Sequence, residues 1–176
     1  MKQFRTIVAY VEDRPGVLAR VVSLFRRRGY NIDSLTVGRT EKEGVSRLTV
    51  VMEADDDAAR RIEANLYKLV NVLFVDDLTA QPNVTHDLAL IKVAATPATR
   101  PNVLQLAEVF RGRAVDVGPE TVIVEVAGTA DKIDGLVEVL RPFGIVEMVR
   151  TGLVAMRRGN PRLEGAVHGE VVEAAE

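Results

Sequence analysis

The sequence predicts an α+β protein of two tandem βαββαβ halves, and three observations carry that prediction. Short alternating apolar runs, the pattern of strands, bracket longer runs whose apolar residues fall three and four apart, the pattern of helices. This order occurs twice within the 176 residues. Between the two occurrences lies Thr79-Ala80-Gln81-Pro82-Asn83, a run without either period and with the composition of a linker.

The first half opens with a strand from about Gln3 to Val11, where Phe4, Ile7, Val8 and Val11 stand among polar residues. Glu12-Asp13-Arg14-Pro15-Gly16 then turns the chain into a helix with apolar Val17, Leu18, Val21, Val22, Leu24 and Phe25. Asp13 is a suitable N-cap and Pro15 a suitable first-turn residue. The helix ends at Arg26-Arg27-Arg28-Gly29, cations on the negative dipole end followed by a capping glycine. Tyr30-Asn31-Ile32 begins a strand that continues through Leu35 and Val37, and a charged turn, 39–44, leads into another over Ser46–Met52. Asp55-Asp56-Asp57 opens a second helix with Ala58, Ile62, Leu66 and Leu69 inward, and Asn71–Leu78 is the last strand. Three aspartates at a helix start are explained by the positive end of the helix dipole.

The second half repeats the order. A strand over Leu88–Ala94 precedes a helix over Asn102–Phe110, and paired strands follow at Ala114–Val117 and Thr121–Val126. A helix over Thr129–Leu140, capped by Thr129 or Asp131, leads to a closing strand from Ile145 to Met156, bent at Gly152. Right-handed crossovers make each half ferredoxin-like, one antiparallel sheet with both helices on one face. The expected division is 1–79, 84–158 and a mobile tail over 159–176, in which HGEVVEAAE could form a weak helix.

Composition narrows the function. A formal net charge of −2 gives no general basic field for nucleic acid or an anionic membrane. Aromatic residues are 5%, and Arg47–Val51 and Val122–Val124 lack the aromatics of an RNA-recognition sheet. Cysteine is absent, which removes disulfides, thiolate metal sites and cysteine nucleophiles. His86 and His168 stand without neighbouring ligand clusters, and neither a phosphate-binding glycine loop nor a serine elbow occurs. No run is long and apolar enough for a bilayer helix, and MKQFRTIVAY starts directly in strand pattern, so the expected location is cytoplasmic.

The stretch with chemistry is Asp13 to Leu18, together with Asn31 and Ile32. Helix-start N–H groups near Gly16, Val17 and Leu18 are expected to be unpaired, beside the start of the second strand, and to suit a small carboxylate. Gly16 has no Cβ to hinder approach. Asp13 or Asn31 would accept from an ammonium group, and Val17, Leu18 and Ile32 would line an aliphatic side chain. The set fits a free amino acid. The turn at Thr96–Pro101 in the second half has no such glycine, so the halves need not share a ligand.

The segment VEDRPGVLARVVSLFRRRGYNIDSLTV resembles the ligand-binding loop of ACT domains, small amino-acid-sensing modules. With SRLTVVM, YKLVNVLFVDDLT and EVFRGRAVDV following in order, the chain up to about Arg158 resembles the small, regulatory subunit of acetolactate (acetohydroxyacid) synthase. That resemblance implies a chain that is not itself the enzyme and binds no cofactor. It implies a large catalytic subunit as partner, holding thiamine diphosphate, Mg²⁺ and FAD, which joins 2-ketoacids in branched-chain amino-acid biosynthesis. The small subunit would activate that partner and confer feedback inhibition by valine, with ACT domains pairing as a homodimer around the effector. The implied effector positions are Asp13, Gly16, Val17, Leu18, Asn31 and Ile32; some relatives carry asparagine at the Asp13 position, and a carboxylate there must face the ammonium. The alternatives weighed are a free-standing ACT-domain sensor with another partner and, remotely, a small enzyme using buried carboxylates.

Overall fold

The computed structural model describes residues 3–159. Its elements run β1 (Gln3–Glu12), α1 (Val17–Arg27), β2 (Ser34–Arg39), β3 (Val45–Ala54), α2 (Asp56–Leu66) and β4 (Val72–Asp77). Then come β5 (Asn83–Ala94), α3 (Arg100–Val109), β6 (Arg113–Val117), β7 (Thr121–Gly128), α4 (Ala130–Leu140), a 3₁₀ turn (Arg141–Phe143), β8 (Ile145–Arg150) and β9 (Val154–Arg157). Two antiparallel sheets result, ordered β2-β3-β1-β4 and β6-β7-β5-β8, with β9 joined to β5. The chain divides into two compact units, 3–84 with 155–159, and 85–154.

In the first unit the register decides which residues are buried. Ile7 faces Val50 and Ala9 faces Leu48, so these side chains share one surface of the sheet. That surface is covered by Val17, Val21 and Phe25 from α1 and by Ala58, Ile62 and Leu66 from α2, which forms the main core. The opposite surface carries Val8 against Thr49 and Tyr10 against Arg47. Ala155 covers part of it, packing with Val8 and Leu78, each no more than 2% exposed. Arg47 lies 5.6 Å from the Tyr10 ring centroid and donates to the Ala155 carbonyl. Arg157 pairs with Asp76 at 2.6 Å, and the Arg158 N–H donates to the Pro82 carbonyl at 2.8 Å.

The helix ends follow from identifiable residues. After Arg28, Gly29 takes φ +71 and donates to the Arg26 carbonyl (3.1 Å), while the Tyr30 N–H reaches back to Phe25 (3.1 Å). This is the six-to-one, five-to-two closure that a left-handed C′ residue makes. Asp55 caps α2 by accepting from Ala58 N–H at 2.8 Å. Asp56 pairs with the largely buried Arg5, and Asp57 with Arg60.

Several expectations are revised. Asp13 is not the cap of α1, and Pro15 stands before the helix rather than in its first turn; Gly16 is the N-cap, with no side-chain bond. Tyr30-Asn31-Ile32 precedes β2, which begins at Ser34, and the first sheet-type bond there is Asp33 N–H to Val51 carbonyl at 2.9 Å. β5 starts at Asn83 rather than Leu88, although Val84 and His86 are polar-facing or exposed and weaken the apolar signal.

In the second unit Ala89, Ile91 and Val93 join Val122, Val124 and Val126 beneath α3 and α4. Thr129 caps α4 by accepting from Lys132 N–H. Helix α3 starts at Arg100, ahead of the expected Asn102, because Pro101 fits a first helical turn. The expected closing strand is two strands, parted where Gly152 takes φ +86. The break is held by Asp87, only 5% exposed, which accepts from Arg150 Nε (2.6 Å), Thr151 Oγ1 (3.1 Å) and the Gly152 N–H (3.2 Å). Residues 160–176, including His168 and the expected weak helix, lie outside the described residues.

Candidate functional site

The turn between β1 and α1 is a type II β-turn. The Val17 N–H donates to the Arg14 carbonyl at 3.3 Å, Pro15 holds the first central position, and Gly16 takes φ 82, ψ −9 at the second. That is the combination for which proline and glycine are selected. The Arg20 N–H closes onto the Gly16 carbonyl (3.1 Å), and among the described residues no acceptor meets the N–H groups of Leu18 and Ala19. Of the expected donors, the Val17 N–H is taken up by the turn, the Gly16 and Leu18 N–H groups meet no acceptor among the described residues, and Ala19 adds another open one. A Cβ built on Gly16 meets nothing within 4 Å, so the glycine is demanded by its backbone angle and faces open space.

Distant residues hold this turn. The Asp13 N–H donates to the Gly44 carbonyl (2.8 Å) and the Glu12 N–H to the Asn71 carbonyl (2.9 Å). Asn71 Nδ2 donates to Glu12 Oε2 at 2.6 Å, while its Oδ1 accepts from Arg20 at 2.5 Å. Asn71 thus links the end of β1 to the second turn of α1, a support that no local pattern around Asp13 announces. The Asp13 carboxylate pairs with Arg39 Nε at 3.2 Å, bordering a depression of about 290 Å³ with Thr40, Lys42 and Gly44. Nothing in the sequence around Asp13 signals Arg39, whose charge offsets the one that would repel a ligand carboxylate.

The remaining candidates separate. Val17 is 4% exposed and belongs to the core, whereas Leu18 is 41% exposed at the surface beside the turn. Ile32 is half-buried against the same core. Asn31 is exposed and borders another depression, about 340 Å³, with Tyr30, Asp33, Glu53 and Arg61. Helix α1, 11 residues long, lies between Gly16 and Asn31 and spans about 16 Å of axis. The expectation that the turn sits beside the start of the second strand is corrected: within one chain the two parts stand at opposite ends of α1. In the second unit the matching turn is built from Thr96 and Thr99 hydroxyls, and Arg100 Nη2 donates to the Gly118 (2.9 Å) and Pro119 (2.6 Å) carbonyls beside it. Among the described residues there is no helix long and apolar enough to cross a membrane, and no group of three or more His, Cys, Asp or Glu placed to hold a metal.

A βαββαβ unit with a proline–glycine turn at the head of its first helix is the architecture of an ACT module, and residues 7–74 match the family model for the ACT domain of acetohydroxyacid synthase small subunits. Residues 86–159 match the model for the small subunit of acetolactate synthase. The chain is 46% identical over 157 residues to a probable acetolactate synthase small subunit of Archaeoglobus fulgidus, covering 89% of this chain and 98% of that one. It is 45% identical over 162 residues to the acetolactate synthase small subunit of Mycobacterium leprae, covering 92% and 95%. The crystal structure of the acetolactate synthase small subunit from Thermotoga maritima aligns with a TM-score of 0.84 at 38% identity, over 90% of this chain and 99% of that one. The chain belongs to the acetolactate synthase small-subunit family.

Proposed function

We propose that this chain activates a large catalytic acetolactate synthase subunit and makes it sensitive to valine, without turnover of its own. The catalytic subunit supplies thiamine diphosphate, Mg²⁺ and FAD, and the complex works in branched-chain amino-acid biosynthesis in the cytoplasm. Valine's carboxylate is received by the open N–H groups of Leu18 and Ala19, its side chain lies on Leu18, and Asn31 with Ile32 completes the site.

One observation carries the reading: Gly16 and Asn31 stand at opposite ends of α1. A ligand that touches both must lie between two copies arranged head to tail, so the first units pair as a homodimer with two equivalent sites. The Asn31 side chain finds no partner among the described residues, which leaves its amide for a ligand or a second copy.

The test uses mixed dimers. Gly16→Asp and Asn31→Ala chains, each alone, lose valine inhibition while still activating the catalytic subunit. A doubly tagged dimer of one Gly16→Asp and one Asn31→Ala chain has one doubly defective site and one intact site, so about half the valine binding returns. If binding stays absent in the purified mixed dimer, the site lies within a single chain. If the wild type neither activates nor confers valine inhibition on a matched catalytic subunit, the assignment fails as a whole.

A further inference from the structure

Arg39 belongs to β2 by sequence but to the turn at Gly16 by contact. Its Nε lies 3.2 Å from Asp13 Oδ2, and the Asp13 N–H is fixed on the Gly44 carbonyl (2.8 Å). The acid that meets Arg39 is therefore itself held by the turn between β2 and β3. With Thr40, Lys42 and Gly44 the two residues border the depression of about 290 Å³. Arg14, nearer in sequence, takes no part in that lining and pairs with Glu12 at 3.4 Å. One positive and one negative charge thus stand together beside the turn, and a free α-amino acid carries the same two charges on neighbouring groups. A guanidinium has five N–H donors in a planar fork, so an approach to Asp13 through Nε leaves its outer edge for a second carboxylate. With its side chain 87% exposed, Arg39 turns toward one without giving up a core contact.

On the valine reading above, on which this depends, we propose that Arg39 makes the effector site select an α-amino acid. Its guanidinium binds the effector's carboxylate alongside the Leu18 and Ala19 N–H groups, while Asp13 receives the ammonium. Open N–H groups at a helix start suit any small anion. The added pair of side chains discriminates further, because charges a few ångströms apart interact strongly at a partly enclosed site. An anion without an ammonium meets the Asp13 charge, and an amine without a carboxylate meets that of Arg39. A zwitterion meets each with its opposite. Loosening the pair to admit it costs little, since exposed ion pairs contribute little to stability.

Calorimetric titration of the full chain with L-valine, L-valinamide and 3-methylbutanoate tests this. Valinamide keeps the ammonium and the side chain without the carboxylate, and 3-methylbutanoate keeps the carboxylate without the ammonium. Wild type binds valine more tightly than either. Arg39→Gln weakens valine by about tenfold, the equivalent of one charge-assisted hydrogen bond, and leaves valinamide as it was, so the preference between them collapses. Arg39→Lys, which keeps the charge, recovers part of it. Three results overturn the proposal while the valine reading stands: Arg39→Gln binding valine like wild type, Arg39→Gln weakening valine and valinamide alike, as a mere prop for Asp13 would, or Arg14→Gln producing the same collapse. A wild type that binds no valine overturns the valine reading itself, and this one with it.

Discussion

At the scale of the residue, Gly16 has two separable duties. It adopts φ +82, which an L side chain reaches at a cost of roughly 1–2 kcal/mol, and it keeps a side chain out of the open space at the head of α1. Gly16→Asn tests the first duty with little charge penalty, since asparagine tolerates the left-handed region best. Gly16→Asp adds a like charge beside a ligand carboxylate. The expected outcome is that both lose some stability without ligand, while Gly16→Asp loses about ten- to a hundredfold in valine affinity, the equivalent of a charge-assisted hydrogen bond. Melting curves with and without valine separate the two effects. Equal stabilisation of wild type and Gly16→Asp by valine would move the effector site elsewhere. The residue type at position 16 was legible in the sequence, but its reason was only half so. Proline followed by glycine points equally to a helix start or a type II turn, and the decision rests on the Val17-to-Arg14 bond.

At the scale of the element, the strands and helices were legible because each has one buried face and a consistent period. The cap of α1 was not, because Asp13 is drawn away by Arg39 and Gly44, residues brought close only by the sheet. The gap between Gly16 and Asn31 could have been anticipated from helix length alone, since 11 residues cannot return to their starting point. What sequence could not reveal was Asn71, 59 positions from Glu12 and 51 from Arg20, the two groups it bridges, which makes it a test of the turn's support. Asn71→Ala leaves Glu12 and Arg20 without their shared partner, and valine inhibition should weaken although no ligand contact is removed. On α2, burial raises the pKa of Glu63, and Asp77 and Asp76 raise it further. A carboxyl with a raised folded pKa contributes stability below its unfolded value and loses it as pH rises through the folded one. Glu63→Gln should therefore melt slightly higher than wild type at pH 7, with the gain fading as the pH falls into the carboxylate range. A gain unchanged down to about pH 3, below the ordinary glutamate pKa, would show that charge is not the cause.

At the scale of the whole molecule, the first unit is completed by residues that come last in the described chain. Ala155 covers Val8 and Leu78, and Arg157 answers Asp76. A chain ending at Val154 should melt lower than one ending at Gly159, by an amount near that of uncovering one or two aliphatic side chains, about 2–3 kcal/mol. Calorimetry of the two truncations measures the difference, and coincident curves would show that the strap adds nothing. The same arrangement bears on how the protein is made. Between the emergence of Val84 from the ribosome and that of Ala155 lie the 70 residues of the second unit, an interval of roughly 4–14 s at ordinary rates of synthesis. Through that time Val8, Tyr10 and Leu78 have no Ala155 above them, and the nascent first unit presents a partly uncovered sheet to chaperones and to its neighbours on the same message.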